Sequence, residues 1–69
     1  MTVETLLEQL KRERMDAMTS AWIYSSKAQQ AKNYGDYVMA EIHQRNRDEN
    51  YKKDVLLSMI IREIEERVS

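Results

Sequence analysis

Hydrophobic positions recur every three or four residues along most of this chain, the spacing of an amphipathic helix. In the first half Val3, Leu6, Leu7, Leu10, Ala17, Met18, Ala21, Tyr24, Ser25, Ala28 and Ala31 share one broad face at about 100° per residue. The pattern predicts a helix over about 3–32, roughly 45 Å long. It starts from Thr2 or Thr5, where "TLLE" has the Thr-x-x-Glu spacing of a capping box. The face is leucine-rich at first and then small, at Ala17, Ala21, Ser25 and Ala28, which lets a neighbouring backbone come close.

Glycine occurs once, at Gly35, and proline is absent. In "KNYGDY" Lys32 and Asn33 suit a helix end, Gly35 can take the left-handed conformation that terminates it, and Asp36 can cap the next helix. The turn is therefore placed at 33–36, and a second helix at about 37–68. Val38, Met39, Ile42, Leu56, Leu57, Ile60, Ile61, Ile64 and Val68 project onto a single face across the polar stretch "HQRNRDENYKKD". That agreement in phase favours one unbroken helix over a break near 46–50 with "NRDE" as a new cap.

The expected fold is all-α: one domain over 1–69, an antiparallel helical hairpin that self-associates into a helical bundle. Folding about Gly35 makes facing positions sum to about 68 to 70. Val3, Leu7 and Leu10 then oppose Ile64, Ile61 and Leu57, and Arg14 comes near Glu49, Lys53 and Asp54. An ion pair of Arg14 with Glu49 or Asp54 would do more to fix register than to add stability. In this arrangement Ala21, Ser25 and Ala28 point at the second helix. Trp22 lies at the edge of the stripe with Met15, and Ile23 points well away from it. An exposed strip of Met15, Trp22 and Ile23 is an expected partner-binding surface.

A chain of 69 residues buries only about 60% of its unfolded surface, so small domains lean on disulfides, metals or self-association. There is no cysteine, and the single histidine, His43, cannot form a metal site alone. Self-association, most simply as a homodimer forming a four-helix bundle, is the expected route. Leu56, Met59, Ile60, Ile61 and Ile64 are its expected residues, because "VLLSMIIREI" is too apolar all round for one neighbour to cover.

Eleven basic and twelve acidic residues leave a net charge of -1, so the overall field attracts nucleic acid little. Lack of cysteine, of an apolar run near the roughly 18 residues of a membrane span, and of a signal-like N-terminus points to the cytoplasm, with no membrane partner.

Candidate chemistry is sparse. His43 lacks Glu-x-x-His or His-x-x-x-His spacing and reads as a solvated surface side chain. Ser20, Ser25, Ser26, Ser58 and Ser69 have no local activating pattern. A single glycine permits no phosphate loop. No catalytic residue, metal or cofactor is expected.

"LLEQLKRERMDAM" resembles the opening helix of the tRNA-dependent amidotransferase tail domain and its stand-alone relatives, and "KKDVLLSMIIR" resembles that family's second helix. Together they cover about a third of the chain. In that family the segments are nearly adjacent, whereas a long stretch separates them here, so no residue or function carries over.

The expected function is a non-enzymatic protein–protein interaction module: a small oligomeric regulator, inhibitor or adaptor, of a size that suits a phage or mobile element. A nucleic-acid-binding dimer is the alternative, with cations from Arg45, Arg47, Lys52 and Lys53 and stacking by Tyr51; the interleaved Asp48, Glu49 and Asp54 weigh against it. A further alternative is a small-ligand or nucleotide receptor at an oligomer interface, built from Tyr24, Tyr34 and Tyr37.

Overall fold

The computed structural model describes residues 2–68; Met1 and Ser69, the ends of the expected domain, lie outside the described residues. The chain forms α1 (Val3–Asn33) and α2 (Tyr37–Val68), packed side by side as a rod of 51 × 15 × 14 Å. No strand occurs among the described residues.

Thr2, not Thr5, caps α1. Its hydroxyl accepts the Thr5 amide hydrogen at 3.1 Å, with the Thr5 hydroxyl 2.8 Å away. The Thr5-to-Glu8 spacing is not used, because Thr5 already lies in the first turn. At the other end Gly35 sits at φ +78°. The Gly35 amide donates to the Lys32 carbonyl at 3.0 Å and the Asp36 amide to the Ala31 carbonyl at 2.8 Å, the paired bonds of a Schellman ending. Asp36 then starts α2: its carboxylate accepts from the Met39 amide at 3.1 Å and its carbonyl from the Ala40 amide at 3.0 Å. One glycine and one aspartate thus end the first helix and begin the second with several of the free backbone groups bonded.

α2 runs unbroken through 46–50. The polar stretch is compatible with helix because its side chains bond within it. Asn50 donates to the Asn46 carbonyl at 2.8 Å, and Arg47 pairs with Asp48 at 3.0 Å.

Two contacts between the helices fix the register: Arg14 with Asp54, 3.0 Å apart, and Tyr24 with His43, ring centroids 6.0 Å apart. Around them lies one seam. On α1 it takes Leu7, Leu10, Arg14, Ala17, Ala21, Tyr24, Ala28 and Ala31; on α2 it takes Ala40, His43, Arg47, Asn50, Asp54, Leu57, Ile61 and Ile64. All of these except Arg14 are buried or half-buried. Their steps alternate between three and four residues, the heptad spacing of a coiled coil.

The α2 face differs from the one expected. Leu57, Ile61 and Ile64 turn toward α1, but Val38, Met39, Ile42, Leu56, Ile60 and Val68 are exposed. The reason lies on α1. Ala17, Ala21 and Ala28 leave space, and α2 fills it with the large polar side chains of His43, Arg47 and Asn50 instead of its aliphatic ones. Ala21 is wholly inaccessible, and four of the six buried core residues are alanines. The close approach expected from the small residues is present.

Candidate interaction surfaces

Large apolar side chains that the seam does not use lie on two sides of the rod. On α1 the steps from Lys11 to Met15, Met18 and Trp22 follow one side of the helix. Two shallow grooves meet there, one lined by Lys11, Arg14, Met15 and Met18, the other by Met15, Met18, Thr19 and Trp22. Trp22 is 72% exposed and Met15 68%, so the small neighbours of the tryptophan belong to the seam while its ring stands outside. Ile23 is exposed too, but it lies about 100° further round the helix and lines neither groove. The strip is Met15, Met18 and Trp22, with Ile23 apart from it. The three- and four-residue steps from Met15 to Met18 and Trp22 were the signal for Met18.

The second side belongs to α2. Leu56, Met59 and Ile60 are exposed there, with Val38 and Ile42 nearer the turn. Ile61 is buried and Ile64 half-buried in the seam, so their apolar surface already serves the hairpin. The Lys11–Glu65 ion pair, 3.5 Å, locates the two sides. Lys11 shares the Trp22 side of α1. Glu65 is nine residues from Leu56, roughly 180° around α2. Leu56 therefore faces away from the side that carries Trp22.

The basic residues do not gather on one face. Arg47 is half-buried in the seam and paired with Asp48, while Arg45 pairs with Glu41 at 3.2 Å on the outside. Lys52 and Lys53 are exposed beside Tyr51. Every guanidinium in this stretch thus has a carboxylate already, which lowers what a phosphate contact would gain.

The aromatic cluster expected at the turn is not assembled. Tyr34 and Tyr37 are exposed, and the one ring contact among the described residues joins Tyr24 to His43, at an interplanar angle of 29°. The Lys27 ammonium lies 5.6 Å from the Tyr24 ring centre. His43 is therefore not the solvated surface residue expected. It is half-buried, its ring stacks on Tyr24, and its enclosed Nδ1 has no hydrogen-bond partner among the described residues. A histidine at a seam position opposite a tyrosine leaves no signature in local spacing, which is why sequence reasoning placed it outside.

No group of three or more metal-ligating side chains occurs among the described residues. Ser58 donates its hydroxyl proton to the Asp54 carbonyl at 2.8 Å; Ser69 lies outside the described residues. No helix among them is long and apolar enough to cross a membrane. No protein-family model, curated protein or solved structure matches this chain.

Proposed function

We propose that this chain is a non-enzymatic protein–protein interaction module, a small cytoplasmic regulator, inhibitor or adaptor that works as a homodimer. Its mechanism is occlusion or scaffolding: one side of the rod joins two copies, and the other lays Met15, Met18 and Trp22 on the surface of another protein.

The observation that carries this reading is the division of the apolar surface. The seam buries six hydrophobic residues, none of them a large side chain completely enclosed, while Trp22, Met15, Leu56 and Met59 are each at least 60% exposed. Large exposed apolar groups gathered on defined sides mark interfaces more often than plain surface. Tryptophan, methionine and tyrosine are the types enriched there.

Sedimentation equilibrium of the full chain at micromolar concentration tests the reading. A dimer or larger species is expected, and a stable folded monomer refutes it. Met59→Asp should dissociate the assembly while far-ultraviolet circular dichroism still reports a helical chain, because a charge placed in a dry contact costs several kcal/mol whereas position 59 is open within the hairpin.

A further inference from the structure

We infer that a second copy of this chain packs antiparallel along the outer side of α2, with Glu49 of each copy beside Lys52 of the other. This deepens the proposed self-association and rests on it.

The outer side of α2 carries its own heptad. Val38, Ile42, Arg45, Glu49, Lys52, Leu56, Met59 and Glu63 follow one another in steps of four and three, and all eight are exposed. They stand two positions after the seam residues Ala40, His43, Arg47, Asn50, Asp54, Leu57 and Ile61, or two before in the case of Val38. That displacement is roughly 200° around the helix. α2 is thus built to meet a helix on each of two sides, yet the hairpin supplies only one.

The pattern on that second side selects the orientation. Val38, Ile42, Leu56 and Met59 flank a charged middle, Glu63 closes the far end opposite Val38, and the spacing is symmetric about a point between Asn50 and Tyr51. An antiparallel copy centred there sets Ile42 against Met59, Glu49 against Lys52, and the aliphatic stem of Arg45 against Leu56, each contact occurring twice. A parallel copy would set Glu49 on Glu49 and Lys52 on Lys52, and like charges facing each other disfavour pairing. Glu49 and Lys52 are free to act in this way. Neither forms an ion pair among the described residues, whereas the neighbouring Arg45, Arg47, Arg62 and Arg67 are all paired with nearby carboxylates.

Surface area says how much a partner should cover. The chain exposes 5536 Å², whereas a compact folded protein of 8.3 kDa exposes about 4,600 Å². The excess is about 900 Å², close to the roughly 800 Å² that each partner buries in a standard interface. A second copy along the outer side of α2 would remove that excess and leave the Met15–Trp22 side open.

The test uses three full-length variants: Glu49→Lys, Lys52→Glu and the double exchange. Each substitution is on an exposed helix surface and should leave helicity intact, which circular dichroism checks. Sedimentation equilibrium should show each single variant with a dimer dissociation constant raised roughly tenfold and the double variant returned to near the wild-type value. Singles and double that all dimerise like the wild type would place the interface elsewhere and overturn this inference while leaving the interaction module standing. A double variant weaker than both singles would equally overturn the Glu49–Lys52 pairing. A wild-type chain that stays monomeric throughout would overturn the inference and the proposed function together.

Discussion

Near the open end of the hairpin Leu7 and Leu10 meet Leu57, Ile61 and Ile64; toward the turn α1 offers Ala17, Ala21 and Ala28 to a face of α2 that carries His43, Arg47 and Asn50. Burying a large aliphatic side chain contributes about 1.5 to 3 kcal/mol, so the open end supplies most of the hydrophobic stabilisation. The turn half supplies proximity instead. Its alanines let α2 approach, and the short connection through Gly35 keeps the two helices together there at little entropic cost. Between these regions Arg14 and Asp54 form a partly exposed pair, of a kind that contributes at most about 1 kcal/mol and serves mainly to hold the register.

If that division is right, substitutions should differ in kind as well as size. Ile61→Ala should have the largest effect, a loss of about 2 to 5 kcal/mol by urea unfolding, since Ile61 is the most buried large side chain of the open end. Ala21→Leu should destabilise by about 1 to 3 kcal/mol through overpacking. A neutral or stabilising Ala21→Leu would mean that the helices are not tightly opposed near the turn, and the contrast between the two ends would fail. Gly35→Ala should lower stability by about 1 to 2 kcal/mol. Nothing lies within 4 Å of an added Cβ there, so the whole cost comes from the positive φ.

Trp22→Ala should have the smallest effect on folding, within about 0.5 kcal/mol as for ordinary surface changes, because the ring stands outside the seam. The same variant should weaken binding to a protein partner by roughly 2 kcal/mol or more, measured by titration calorimetry. An early-melting Trp22→Ala variant that also loses its dimer would instead assign the Met15–Trp22 side to self-association.

The hairpin, the turn at Gly35 and the approach of Arg14 to Glu49 or Asp54 were legible in the sequence, because each follows from local spacing or from a register that the single glycine dictates; the structure selects Asp54. The inner face of α2 was not legible. Val38, Ile42, Leu56 and Ile60 make as good an apolar stripe as Leu57, Ile61 and Ile64, and hydrophobicity alone does not say which of two adjacent stripes meets α1. That choice is made by α1, whose alanines meet His43, Arg47 and Asn50, 15 to 33 residues away along the chain, only after the fold brings them together. His43 was misread for the same reason: a seam histidine is defined by the neighbouring helix, which a one-dimensional pattern does not contain, whereas Met18 was missed although its spacing from Met15 and Trp22 carried the signal.

The central claim, that the outer side of α2 joins two copies in opposite directions, can be measured as a distance. The chain has no cysteine, so Tyr37→Cys gives one spin-label site per copy, at an exposed position beside the turn. Antiparallel α2 helices centred between Asn50 and Tyr51 put the two labels about 40 Å apart at 1.5 Å per residue, and double electron–electron resonance on the dimer should report that separation. A separation below about 20 Å, which parallel helices would produce, or no intermolecular distance at all at concentrations well above micromolar, would contradict the account.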